Sequence, residues 1–292
     1  MKEVSPENSF GFTSPESVRY EYGTHFVGLL ERWRLYRYAE SPFDYYSESL
    51  KLFAGKSGAK VLDIGTYDGA EFASAANTVG IRGELYGIDP VTDAYELKKD
   101  LNMNVDVNFV QAKSEALPFA SNSMDGIVAL FSAYHFDPLE KALAEMRRVL
   151  KPGGTVAIST SGKSNKSQHR YFESQISEFT GLAKPPIFTR SFDIDTAHDV
   201  LPRWFDTVTF IPQHTRMLIT PGSAFVDYIG SLLTVNNSIT RNLSEKETVS
   251  IRDLWKAGVD AVATPQIEHE IAMNGVFVDY IDRGLFICRN LE

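Results

Sequence analysis

The stretch that decides the fold is VLDIGTYDGA, residues 61–70. A short apolar run carries Asp63, turns at Gly65, and meets a second glycine at Gly69 before the small-residue segment EFASAANTV. That order reads as strand, tight turn, helix. A glycine at each end of such a turn permits positive φ or close backbone approach. A sharp turn that holds no ligand also accounts for the two glycines. A turn that cradles a dinucleotide pyrophosphate asks for G-x-G-x-x-G at a helix N-terminus. Here Tyr67 stands in place of the middle glycine, and Asp68 would repel a diphosphate.

Outward from this loop the rhythm repeats. AKVLDIG is a strand, and residues 69–79 form a helix. GELYGID is a second strand, followed by a helix from Thr92 to about Leu101. VNFVQA, SMDGIVALFS and TVAIST supply a third, fourth and fifth strand. Between the last two, LEKALAEMRRVL is amphipathic, with Leu139, Leu143, Met146 and Leu150 on one face, and Pro152-Gly153-Gly154 is expected to stop it. Alternating strands and helices predict an α/β fold: a Rossmann-like doubly wound sheet, mostly parallel, with ligands at the carboxyl ends of its strands. Those ends are Asp63–Gly69, Asp89, Ala112–Glu115 and Leu130–His135.

Residues 161–204 break the rhythm with a polar loop, a helix and a Pro-Pro turn. DTVTFIPQHTRMLIT restores strand character, helices follow at 222–236 and 244–262, and FVDYIDRGLFICR closes the chain as a hairpin or a final antiparallel strand. We expect residues 1–55 to form an aromatic helical lid interrupted near Ser41-Pro42, 56–160 the ligand-binding core, 161–204 a cap insertion, and 205–292 the last strands with a helical insertion. The aromatic N-terminal segment reads equally well as a helix packed on the sheet edge.

Composition narrows the chemistry. The chain has 292 residues, 43% apolar, and a net charge of −9. An acidic surface opposes nucleic-acid binding, which needs a basic footprint. No stretch is long and apolar enough to span a membrane, and MKEVSPENSFGFTSPES lacks the apolar core of a secretory signal. Cys288 is the only cysteine, and it lies in the apolar GLFICRN, so a buried inert thiol is expected. The six histidines show no zinc spacing. These features predict a cytoplasmic, metal-free protein with no nucleic-acid or membrane partner; a homodimer stays open.

The ligand then follows from charge. Asp89 ends the second strand twenty residues beyond Gly69, where a carboxylate can accept both ribose hydroxyls. Asp63 complements an ammonium. S-adenosyl-L-methionine carries an amino group and a sulfonium but no phosphate, so acidic and aromatic neighbours suit it.

With these residues in view, the chain resembles the class I S-adenosylmethionine-dependent methyltransferases, in the group related to the ubiquinone/menaquinone C-methyltransferases (methyltransferase type 11). VLDIGTYDG is similar to the glycine loop, LYGIDP to the ribose-binding strand end, SEALPFASNSMDGIVALFSAYHF to the ALPF…HF segment, and RRVLKPGG to the turn into strand five, about one hundred residues in all. The resemblance implies a small-molecule methyl acceptor and cofactor contacts from Asp63, Gly65, Thr66, Tyr67, Gly69, Asp89, Pro90, Lys113, Ser114, Glu115 and Leu130. Two positions depart from the pattern. Many relatives have glycine where Tyr67 stands, and an adenine-accepting aspartate where Lys113 stands. A lysine cannot accept that bond, so adenine falls to the backbone of 112–114 or to Ser114.

Transfer from a sulfonium is an in-line displacement that needs placement of the nucleophile and, for a hydroxyl or ammonium acceptor, a base. In the similar phosphoethanolamine methyltransferases a histidine at the place of His135 takes part in catalysis with a tyrosine, for which Tyr20, Tyr22, Tyr45 and Tyr46 are candidates. A structural histidine is the alternative. Arg190, Arg203, His169 and His198 read as solvated surface residues or, alternatively, as groups for an anionic acceptor. Nitrogen or oxygen is the favoured acceptor atom, with a carboxylate or carbon open, and a non-catalytic binding protein of the same fold as the reading from another class.

Overall fold

Seven strands pair in the order β3-β2-β1-β4-β5-β7-β6. They are β1 (Ala59–Ile64), β2 (Gly83–Asp89), β3 (Val107–Gln111), β4 (Met124–Leu130), β5 (Leu150–Ser161), β6 (Thr207–Ile219) and β7 (Phe277–Arg289). The computed structural model describes residues 34–67, 69–90, 107–184, 191–235 and 244–291. The expected helix at 92–101, the Pro-Pro turn, Asp68, Arg190, Tyr20 and Tyr22 lie outside them.

β1 to β5 are mutually parallel, and β7 runs antiparallel to β5. The expected mixed sheet is therefore present, and the final segment is the antiparallel strand. In β4 all seven residues are buried, as for a strand covered on both faces. The reversal of strand order falls between β1 and β4, where parallel α/β sheets open a crevice at their carboxyl ends. Asp63 pairs with Gly87 on one side and Val128 on the other, so the ends of β1, β2 and β4 share one edge.

Alternation along the strands gives each face its own core. On one face Val61, Leu85, Val128, Leu130, Ala157, Leu285 and Ile287 pack with Phe72, Ala73, Ala75 and Ala76 of α2 (Ala70–Val79) and Leu50 of α1 (Tyr45–Leu50). The small side chains of α2 allow this close approach. On the other face Leu62, Ile64, Ile127, Ala129, Val156, Ile158 and Phe286 pack with Leu143, Met146 and Val149 of α3 (Leu139–Val149).

Two local expectations need correction. The helix α3 ends at Val149, before Pro152-Gly153-Gly154, and Leu150 is the first residue of β5. The proline and glycines are carried inside that strand, at a shift in register between the Met124–Leu150 and Gly126–Thr155 pairs. Proline tolerates such an irregularity because no ladder donor is needed there.

The described residues group into two compact units. One is drawn from the described residues within 41–165, 191–215 and 281–291, and the other from those within 34–40, 166–184 and 216–280. The first also contains α5 (Ile194–Val200). The second contains α4 (Ser167–Thr180), α6 (Ser223–Val235), α7 (Glu245–Gly258) and α8 (Thr264–Asn274), with one π turn at Val259–Ala263. Its interior holds Phe172, Phe225, Tyr228, Ile229 and Trp255, all buried. Trp255 Nε1 donates to the Ile229 carbonyl at 3.0 Å, which satisfies the one polar atom of that ring. Ser244 and Glu247 form a reciprocal capping box at the start of α7. Among the described residues no helix is long and apolar enough to cross a membrane, and no group of His, Cys, Asp and Glu could hold a metal ion. Cys288 is buried, and burial pushes its thiol up to about 12, so it stays protonated.

Candidate active site

The carboxyl ends of β1, β2 and β4 carry most of the residues singled out from sequence. After Ile64 the chain turns at Gly65, φ +80°, and the amides of Gly65 and Thr66 both donate to the Ile88 carbonyl, at 2.9 and 3.1 Å. A Cβ on Gly65 would stand 2.5 Å from Ser132 Cβ, so glycine is required by both dihedral and space. Gly69, φ +69°, begins α2, and a Cβ there would meet the Phe109 ring at 2.2 Å. The two glycines thus let the ends of β4 and β3 close on the loop.

Tyr67 lies between them at φ +53°, in the left-handed region. An L side chain in that conformation costs roughly 1–2 kcal/mol, which glycine would not incur. The loop compensates through Asp89, whose Oδ2 accepts from the Tyr67 amide at 3.1 Å. Replacing Tyr67 by glycine removes that strain while keeping the amide. We expect Tyr67→Gly to melt about 2 °C above the parent, and Tyr67→Ala, which keeps the strain and loses the ring, to melt below it. Thermal unfolding of the two variants side by side checks the order.

Asp63 is fully buried. Asp44 caps α1 by accepting from the Ser47 amide at 3.0 Å, which starts the helix at Tyr45. That places the Tyr46 hydroxyl to donate to Asp63 Oδ2 at 3.1 Å. Asp63 Oδ1 is buried and has no hydrogen-bond partner among the described residues. Burial pushes the carboxyl up to about 7; the nearby Thr66 hydroxyl, which does not complete a hydrogen bond to it, and the bound Tyr46 hydroxyl pull it down, and the nearby Asp89 and Glu71 add to the rise. A buried carboxylate with an unmet acceptor is the arrangement an ammonium group completes.

The end of β4 is tied to its neighbours. Phe131, φ +52°, donates its amide to Ser159, and the Ser132 hydroxyl donates to the Ile64 carbonyl at 2.7 Å. A 3₁₀ turn over Ala133–His135 follows. The His135 ring is partly exposed and meets Tyr134 edge-on at 4.5 Å. Tyr45 packs edge-on against Phe131 at 4.8 Å.

Beyond β3, Lys113 is exposed and Ser114 buried. The Ser114 hydroxyl donates to Glu115 Oε1 at 3.0 Å, and the Asp137 amide donates to the same oxygen at 2.8 Å. Glu115 therefore braces the turn after β4. The Pro90 carbonyl accepts from Gln111 Nε2 at 3.0 Å, and Leu130 is buried at the strand end.

Of the four residues considered for an anionic acceptor, Arg190 lies outside the described residues, and the other three fare differently. Arg203 is exposed. His198 is exposed, and its ring also rests on Phe210 and Phe286 at 4.8 and 5.0 Å. His169, read as a surface residue, instead has a largely covered side chain in the helical unit. Its Nδ1 lies 3.1 Å from the Tyr228 hydroxyl and its Nε2 2.9 Å from Glu173, and burial holds its pKa below the usual value. The hydrophobic face of α4 carries it inward, a placement that polar spacing alone did not reveal. Sequence reading also missed Arg283, whose guanidinium carbon lies 4.4 Å from the Phe131 ring centroid.

The methyltransferase domain family matches residues 62–158. The ubiquinone/menaquinone biosynthesis C-methyltransferase UbiE of Haemophilus ducreyi is 36% identical over 107 residues, covering 35% of this chain and 41% of that protein. The chain thus spans about two fifths of the length of the curated relatives it matches. Two solved structures share the fold. Phosphoethanolamine N-methyltransferase 2 of Haemonchus contortus, in complex with phosphomonomethylethanolamine and S-adenosylhomocysteine, superposes with a TM-score of 0.52 at 16% identity, covering 94% of this chain and 59% of that one. The [4+2]-cyclase SpnF superposes with a TM-score of 0.51 at 16% identity, covering 85% and 82%. The matched segment, Leu62 to Ile158, takes in all but the first three residues of β1, with the glycine loop, Asp89 and the end of β4, and is similar to the methyltransferase domain family.

Proposed function

We propose that this chain is an S-adenosylmethionine-dependent methyltransferase acting on a small-molecule acceptor, with nitrogen or oxygen as the favoured methylated atom. The observation that carries the reading is Asp63: a fully buried carboxylate, one oxygen unmet, beside a glycine loop and one strand from Asp89. That donor set suits a cationic amino-acid group and a ribose, and it does not suit a diphosphate.

When bound, S-adenosylmethionine supplies an electrophilic methyl group. Asp63 holds the ammonium, and Gly65, Thr66, Tyr67 and Gly69 form the loop beneath the ligand. Asp89 accepts from the ribose hydroxyls while it anchors the Tyr67 amide; a carboxylate has acceptor capacity for both. Pro90, Lys113, Ser114, Glu115 and Leu130 flank the adenosyl end, with the backbone of 112–114 reading adenine. Tyr46 fixes the Asp63 carboxylate. His135, in the turn that leaves β4, takes the proton that a hydroxyl or ammonium acceptor must lose.

The H. ducreyi relative is a C-methyltransferase by name, so an activated carbon is the second acceptor class. A [4+2]-cyclase on the same fold makes product formation, rather than cofactor binding, the decisive readout. Methyl transfer from radiolabelled cofactor is therefore to be followed across a panel of small amines, phenols and carboxylates. We expect one class to be labelled, with His135→Ala and His135→Asn lowering kcat on it about a hundredfold and flattening the pH profile. No labelled product despite cofactor binding would support the non-catalytic alternative. Turnover unchanged across pH 6–9 in both variants would remove His135 from the reaction.

A further inference from the structure

We propose that Tyr46 is a positioning residue that sets the pH range over which this site takes its cofactor: its hydroxyl holds one oxygen of Asp63 and favours the charged carboxylate, while the other oxygen is left to meet the ligand's ammonium. This rests on the methyltransferase reading above and adds the regulation of the same site to it.

The placement begins in the sequence. Asp44 accepts from the Ser47 amide at 3.0 Å and so fixes where α1 starts. Tyr45 and Tyr46 fall in its first turn, and successive helical residues point about 100° apart. Their rings part accordingly. Tyr45 meets Phe131, just past the end of β4, at 4.8 Å, while Tyr46 lies 6.1 Å from the buried Phe72 of α2. From there the Tyr46 hydroxyl reaches Asp63 Oδ2 at 3.1 Å.

Few groups oppose the burial of Asp63. Those that bear on it are Thr66 in the loop, Tyr46 from α1, Asp89 at the end of β2 and Glu71 in the first turn of α2. Burial and the two carboxylates disfavour its charge. The Thr66 hydroxyl does not complete a hydrogen bond to it. Among the described residues, the one completed hydrogen bond to this carboxyl comes from Tyr46. A hydrogen bond to the charged form favours that form. Tyr46 therefore works against the burial that pushes the carboxyl up to about 7.

The two oxygens divide the work. Oδ2 accepts from the phenol, and Oδ1, buried and without a hydrogen-bond partner, carries the proton while the carboxyl is neutral. An ammonium offers only donors, so a charged pair forms only once that proton leaves. The O–H bond at Oδ1 breaks, its proton passes to solvent, and the ionised oxygen accepts from the ammonium; no other bond changes. The phenol hydroxyl eases that release, so its loss should weaken cofactor binding below neutral pH and spare it above.

The test titrates the full chain and Tyr46→Phe with S-adenosylhomocysteine at pH 6 and pH 8.5; phenylalanine keeps the ring beside Phe72. Comparing the two proteins at each pH cancels the ligand's own titration. We expect Tyr46→Phe to bind about tenfold more weakly at pH 6 and within about threefold of the parent at pH 8.5. Recovery at pH 8.5 also shows that the variant folds. Carbon-13 NMR of the Asp63 carboxyl in the ligand-free proteins, assigned by its loss in Asp63→Asn, should place its midpoint about one pH unit higher in Tyr46→Phe. The proposal is overturned if Tyr46→Phe matches the parent at pH 6, or if the Asp63 midpoint does not move. A loss of the same size at both pH values would also overturn it, by marking a role in packing alone. Failure of the parent protein to take S-adenosylhomocysteine at either pH would instead overturn the underlying reading, and this proposal with it.

Discussion

As the pH rises from about 4 to about 7, the ligand-free protein is expected to lose up to about 4 kcal/mol of stability, and Asp63→Asn is expected to abolish most of that loss. Asp63 has a folded-state value of about 7 against an ordinary 3.8, with burial as the main cause. Between those two values the native state holds a proton that the unfolded chain releases, so stability falls with pH across that window. About 3 units at roughly 1.4 kcal/mol each give the figure, an upper bound because water penetration softens the cost. His169 acts in the opposite sense, since burial holds its pKa down; its imidazole is easier to protonate in the unfolded chain, and this contribution rises with pH. The difference between the parent and Asp63→Asn isolates the carboxylate. Denaturant unfolding of both at pH 5 and pH 8 measures it, and parallel pH dependences would contradict the assignment.

The same carboxylate should couple to the cofactor. If an ammonium completes Asp63, binding requires the ionised form, and affinity weakens about tenfold for each pH unit below 7. Truncating one member of a buried charge pair costs about 2 kcal/mol or more, so Asp63→Asn should bind S-adenosylmethionine roughly thirtyfold more weakly at pH 8.

The second large effect concerns Gly65. Alanine there must adopt φ +80° and place its methyl 2.5 Å from Ser132 Cβ. Ser132 cannot withdraw without breaking its 2.7 Å bond to the Ile64 carbonyl, a buried interaction. Strain of about 1 kcal/mol, plus the displaced hydrogen bond at about 1–3 kcal/mol, predicts a loss near 3 kcal/mol for Gly65→Ala. Ser132→Gly opens the space but forfeits the bond, so the double variant should lose less than the sum of the two single changes. A double-mutant cycle by chemical unfolding checks this; strict additivity would mean that the loop and the end of β4 do not press on one another.

Much of the sheet was legible because each strand announces itself locally. The runs from Val61 to Ile64 and from Met124 to Leu130 are buried without alternation and apolar but for Asp63, Asp125 and Gly126, as strands covered on both faces are. Asp63, Gly65, Gly69 and Asp89 were legible because a turn between strand and helix needs glycine, and a strand end needs a polar terminus to meet a ligand. The strain at Tyr67 was not legible, since a dihedral angle depends on where the Asp89 carboxylate stands in space. The end of α3 was placed one residue late, at Leu150, because a strong amphipathic pattern runs past Val149, and only pairing with β4 draws Leu150 into a strand. Arg283 and His169 were hidden for a related reason. The first reaches the edge through the antiparallel pairing of the last strand with β5, and the second is turned inward by the packing of α4 in the helical unit. Neither relation is local in sequence.

The central claim is that the loop at 65–69, Asp63 and Asp89 hold an adenosyl sulfonium. The most direct measurement is calorimetric titration with S-adenosylmethionine at pH 6 and pH 8, each in two buffers of different ionisation enthalpy. The account predicts binding at both, with close to one proton released at pH 6, little released at pH 8, and no such release in Asp63→Asn. Absence of binding at millimolar cofactor, or a proton count that ignores Asp63, would contradict it.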